Sequence, residues 1–118
     1  MSLLAPTPGQ IIDRVQALAV KVAKFEAAGK SHIHLIGEMC QLAPVLPDTT
    51  TGPLKVHAKR LYRLHHEMWA MIDTIGKSED LPLVGATAKT LRSKNLERHY
   101  VIAEIDRLLG HYFGDEKL

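Results

Sequence analysis

Apolar residues recur along this chain at alternating spacings of four and three, the rhythm of one helix face, and no stretch reads as a credible strand. Thr7-Pro8-Gly9-Gln10 opens the first such stretch as a capping box, with threonine as cap, proline in the first turn and glutamine three positions on. Ile11, Val15, Leu18, Val22 and Phe25 then form one stripe, and Gly29 follows as a helix stop. Asp13, Arg14, Lys21 and Lys24 fall outside that stripe. Behind Ser31, which can cap it, a short second helix runs through HIHLIGEMCQLA with Leu35, Met39 and Leu42 on one face. It should end by Ala43, because Pro44 disfavours a helical residue before it.

PVLPDTTTGP, residues 44–53, is the one clear loop, too short to divide the chain into two domains. A third helix is predicted from about Pro53 to Ile75, with stripe Leu54, Ala58, Leu61, His65, Met68, Ile72 and Ile75. KSEDLP makes the next turn, with Ser78 or Asp80 as cap. The fourth helix is predicted to reach about Tyr112, its stripe passing through Val84, Ala88, Leu91, Asn95, Arg98, Ile102, Ile105 and Leu109. So short a turn makes the last two helices antiparallel neighbours. Folded there, the stripes pair in order: Ile72 with Ala88, Met68 with Leu91, His65 with Asn95, Leu61 with Arg98, Ala58 with Ile102, Leu54 with Ile105.

That register gathers the three polar seam residues, His65, Asn95 and Arg98, into adjacent layers. Two readings fit. A polar layer can fix register at some cost in stability, with Arg98 laying its stem on Leu61 and sending its head to the rim. The same three side chains can instead line a site for a small anionic ligand, since arginine presents a planar fork to carboxylate or phosphate and histidine can carry a proton. No nucleophile accompanies the histidine, so a catalytic residue is not assigned and an enzyme is the less favoured reading.

Composition adds bounds. The chain has 118 residues, 46% of them hydrophobic and 24% charged, which suits a single globular domain over residues 1–118, with 1–6 expected outside the fold as a disordered or tag-derived leader. A net charge of +2 is too small to suggest a nucleic-acid arm. Lys55, Lys59 and Arg63 do make a basic row on the third helix, but aromatics are few and no zinc or helix-turn-helix pattern appears, so nucleic acid is not the favoured partner. The single Cys40 forms no internal disulfide and is expected to be a buried, inert thiol. No apolar run is long enough to span a bilayer and the opening residues do not read as a secretory signal, which makes the cytoplasm the expected compartment. His34 and Glu38 have ligand-compatible spacing, yet no metal motif or cofactor fingerprint accompanies them, and no metal or cofactor is expected.

Trp69-Ala-Met-Ile-Asp73, followed by Asn95-Leu-Glu-Arg98 and then Ile102, Ile105 and Asp106, resembles an uncharacterised bacterial all-helical domain family. That family carries W-x-x-x-D and then N-x-x-R-x-x-x-I-x-x-I-D, and the likeness covers the third and fourth helices only. The resemblance implies that Trp69, Asp73, Asn95, Arg98 and Asp106 act as a set. Read alone, Asp73 and Asp106 are ordinary solvated carboxylates beside the seam. The fourth helix also carries apolar rows through Leu96 and Tyr100 and through Val101 and Leu108, more than one partner helix can cover. The sequence therefore predicts an all-α antiparallel bundle of three long helices and one short one, forming a homodimer and acting by protein interaction. Its runner-up is ligand binding at the polar layer.

Overall fold

The computed structural model describes residues 6–50 and 52–110, and among them there are helices and turns but no strand. Helix α1 spans Pro8–Ala27, α2 Ile33–Leu42, α3 Gly52–Lys77 and α4 Leu81–Leu108, with a 3-10 turn at Ala43–Val45. This is an all-α bundle. No helix among the described residues is long and apolar enough to cross a membrane.

The first turn of α1 leaves no backbone donor unanswered. Pro8 has none, the Gln10 N–H donates to the Thr7 hydroxyl at 3.1 Å, and the Gln10 side chain returns the contact to the Thr7 N–H at 2.9 Å. The Gly9 N–H donates across the bundle to Asp106 at 2.7 Å. At the other end, Gly29 takes φ +70, a conformation open to glycine, and the helix stops.

Helix α2 has His32 rather than Ser31 at its cap position and no side-chain capping bond. Asp80 caps α4, accepting from the Leu83 N–H at 3.1 Å, while Ser78 holds the Asp80 N–H in the turn before it. Helix α4 ends at Leu108, short of the predicted reach, because Gly110 turns the chain with φ +78. Tyr112 lies outside the described residues.

Helices α3 and α4 pack as the antiparallel hairpin the stripes predict, and ion pairs Arg60–Glu97 and Glu67–Lys94 brace it. The core lies at one end of this hairpin, where Leu61, Leu64, Val101, Ile102 and Ile105 enclose Ile12 of α1. Toward the hairpin tip the seam opens. Ile72 is 47% exposed and Ala88 is exposed too, because two helices alone cannot enclose the layer they share.

Helix α1 crosses the hairpin obliquely. Its first turn meets Ile102 and Asp106 of α4, its second reaches both helices, and its last lies beside Trp69 and Lys77 of α3. The face it presents carries Gly9, Ile12, Asp13 and Gln16, not the stripe through Val15 and Val22. That stripe turns instead toward α2.

Candidate functional site: a polar layer closed by a third helix

His65, Asn95 and Arg98 do come together, and the residue that joins them is Asp13 of α1. The Asp13 carboxylate accepts from Arg98 Nε and Nη2, each at 2.9 Å, in a bidentate pair. Its Oδ1 also meets His65 Nε2 at 2.8 Å. Arg98 Nη1 donates to Asn95 Oδ1 at 2.6 Å. Every nitrogen of the Arg98 guanidinium is thereby bonded within the protein. Asp13 and His65 are buried, and the Arg98 side chain is 24% exposed.

Two expectations change here. Asp13, placed outside the apolar stripe, is at the centre of the bundle, because α1 buries a face that the stripe does not mark. Arg98 does not snorkel to the rim; a carboxylate stands over the seam and the guanidinium turns to it. Burial opposes ionisation of Asp13, but the hydrogen bonds from His65 and Arg98 and their charges outweigh it and hold its pKa at about 2. The Arg98 pKa is correspondingly raised, first by its bond to Asp13.

Asp106 is also buried rather than solvated. It accepts the Gly9 N–H at the positive end of α1, where a carboxylate is favoured by both the free donor and the helix dipole. Asp13 and Asp106 thus latch α1 to α4 in opposite directions, one carboxylate coming from each helix. A methyl group at Gly9 would lie 2.7 Å from the Ile102 carbonyl oxygen, so only glycine permits this approach.

Trp69 and Asp73 stand apart from the layer. Asp73 pairs with Lys77 at 3.2 Å on the exposed face, as an ordinary solvated carboxylate. Trp69 and Asp73 line one cleft, with Phe25, Lys24 and Lys77, at the end of α1. Five of the six residues singled out from sequence thus divide into a bonded trio of the layer with His65, Asn95 and Arg98, and an outlying pair; Asp106 forms a separate latch.

The sequence reading missed the groove between α1 and α2. It holds about 520 Å³ and is lined by Val15, Ala19, Val22, Ile36, Met39 and Leu46. Cys40, expected to be buried, is exposed on its wall. Helix α2 packs chiefly against α1, which leaves much of its outer face uncovered among the described residues. Ile33 is accordingly 77% exposed and Ile36 40%. At the rim, Arg14 bridges to Glu38 through two bonds of 2.7 and 2.9 Å, which removes Glu38 from partnership with His34.

The extra apolar rows of α4 separate as well. Val101 is in the core, whereas Leu96 and Tyr100 remain 63% and 59% exposed. No family model matches the chain, and neither the curated proteins nor the solved structures contain a match to it.

Proposed function

We propose that this protein acts by self-association, as a symmetric dimer of helical bundles, and not by catalysis. The observation that carries the reading is the apolar groove between α1 and α2 with Ile33 projecting beside it. Helix α2 carries a polar strip of His34, Glu38 and Gln41, yet beside it Ile33, Ile36 and Cys40 are exposed while Leu35 packs inward. An exposed apolar row of this kind next to an apolar groove is the surface that a contact with another molecule covers.

A second copy of the chain fits this surface better than an unrelated helix. Ridge and recess lie side by side on one patch, which is what a two-fold contact needs, since each patch must fill its own image. Ile33, Ile36, Val45 and Leu46 together leave on the order of 400 Å² of side chain exposed, about half of what each partner of a standard interface contributes. The groove walls supply the remainder. Leu96 and Tyr100 form a smaller pair flanked by Arg92 and His99, and are the weaker surface.

The polar layer fits the same reading. Its arginine fork is occupied by Asp13, so its role is to fasten α1 to the hairpin. The helical family that the W-x-x-x-D and N-x-x-R elements resemble remains a proposal on the same footing, with Asn95 and Arg98 acting as positioning residues.

Light scattering on the purified chain at about 50 µM tests the proposal, that being well above the dissociation constant of a stable dimer. Twice the 13.1 kDa chain mass is expected. Ile36→Glu should yield a monomer with an unchanged helical spectrum. A monomeric wild type, or a dimer indifferent to Ile36→Glu, overturns the groove as the interface.

A further inference from the structure

Trp69, Asp73 and Lys77 recur every fourth residue and so share one face of α3. They line a cleft of about 460 Å³ against Lys24 and Phe25 of α1 and Lys30 just beyond it. The end of α1 builds the opposite wall. Gly29, at φ +70, turns the chain back, and the Lys30 N–H donates to the Phe25 carbonyl at 2.8 Å. With its backbone anchored there, Lys30 holds its ammonium 5.9 Å from the centre of the Phe25 ring. Trp69 and Phe25 are each half-buried, and Trp69 forms no hydrogen bond among the described residues.

The charges of the lining do not balance. Asp73 answers Lys77 at 3.2 Å, whereas Lys24 and Lys30 form no ion pair among the described residues. Glu26, on the same turn of α1, lies beside His32 at 3.7 Å and is not part of the lining. The carbonyl end of α1 offsets only about half a unit of positive charge, so an excess remains. Aromatic rings and an unbalanced charge meeting in one recess of ligand size define a complementary molecule. A ring stacks favourably on Trp and Phe, and a carboxylate or phosphate makes charge-assisted bonds to ammonium groups.

We infer that this cleft binds a small aromatic anion, its ring against Trp69 and Phe25 and its carboxylate or phosphate at Lys24 and Lys30. Trp69 and Asp73, which the polar layer leaves unused, then line one site, with Asp73 holding Lys77 in place. None of these residues lines the groove between α1 and α2, so the inference does not rest on the self-association proposed above.

The chain has one tryptophan, so a single indole N–H resonance of the ¹⁵N-labelled full chain reports on the cleft. Titrations with 3-phenylpropionate, phenyl phosphate, 3-cyclohexylpropionate and 3-phenylpropanol test the inference. Either aromatic anion should move the indole resonance together with the amides of Phe25 and Lys30, and the tighter of the two identifies the anionic group. The cyclohexyl acid should bind about fivefold more weakly than its phenyl counterpart, the scale of an aromatic pair. The uncharged alcohol should bind about tenfold more weakly, the scale of one charge-assisted hydrogen bond, and Lys24→Gln should weaken both anions by a similar factor. Trp69→Leu, followed through the Phe25 and Lys30 amides, should erase the preference for phenyl over cyclohexyl. No localised shift with either aromatic anion overturns the inference, as does a cyclohexyl acid or an alcohol that binds as tightly. Binding indifferent to Lys24→Gln overturns it too, and the variant spectra report directly whether the fold is retained.

Discussion

Asp13 and Arg98, 85 positions apart, meet as a bidentate ion pair with both N···O distances at 2.9 Å. The pair lies across two helices that are not neighbours in sequence, and His65 of a third helix joins it at 2.8 Å. One carboxylate therefore holds three helices in register. A seam that would otherwise bury an unpaired guanidinium is neutralised from within, and this is why an amide, an imidazole and an arginine can occupy positions where Leu or Ile is the norm.

Arg98→Leu should destabilise the fold by roughly 3 kcal/mol or more, because it removes the bidentate partner of Asp13 and leaves a buried carboxylate held by His65 alone. An arginine whose head lay at the rim would lose about 1 kcal/mol or less. Urea unfolding separates the two. Asn95→Leu should cost only about 1 kcal/mol, since it removes one acceptor from a guanidinium that keeps its carboxylate.

The pH dependence follows from the depressed pKa of Asp13. Its folded value of about 2 lies below the ordinary 3.8, so the stabilisation is fully present above about pH 5 and is lost as pH falls toward 2. About two pKa units correspond to roughly 2.5 kcal/mol. The urea midpoint of the wild type should fall over that window more steeply than that of Asp13→Asn. Parallel pH profiles for the two would show that Asp13 is not held by its partners.

Gly9→Ala should destabilise by about 1–2 kcal/mol net, as the clash with the Ile102 carbonyl and Asp106 exceeds the helix-propensity gain of up to about 1 kcal/mol. Gly85→Ala is the control. Nothing lies within 4 Å of the added carbon there, so the propensity gain should appear undiminished. Thermal unfolding of both variants checks the contrast, and equal responses would mean that α1 does not approach α4 so closely.

Thr7→Ala should cost about 1 kcal/mol, because it removes the acceptor for the Gln10 N–H and half of the capping box. Hydrogen exchange should quicken in the first turn of α1 and stay unchanged at the hairpin tip. Uniform quickening would show that this turn is not an independent unit.

The hairpin was legible because it is local: one period runs unbroken along α3 and α4, the turn between them is short, and only one register satisfies every layer. The cap at Thr7 was legible for the same reason. Asp13 was not, since α1 has two usable faces and the more apolar one, through Val15 and Val22, looks toward α2. Periodicity reports which face is apolar, whereas the face that docks on the hairpin carries a carboxylate whose partners lie 52 and 85 positions away. Asp106 was hidden likewise, its partner being a backbone N–H 97 positions distant. The burial expected of Cys40 failed because α2 is covered on one side only. One signal was available: an arginine and a histidine in a seam require a carboxylate, and Asp13 is an acidic residue of a helix that must cover that seam.

Asp13 closes the polar layer and fastens α1 to the hairpin. A double-mutant cycle of Asp13→Asn and Arg98→Gln, followed by urea unfolding at pH 7, measures that coupling directly. Losses of about 3 kcal/mol are expected for each single variant with a coupling of roughly 2 kcal/mol, so that the double variant loses about 4 kcal/mol and not about 6. Single losses under about 1 kcal/mol that simply add would contradict it.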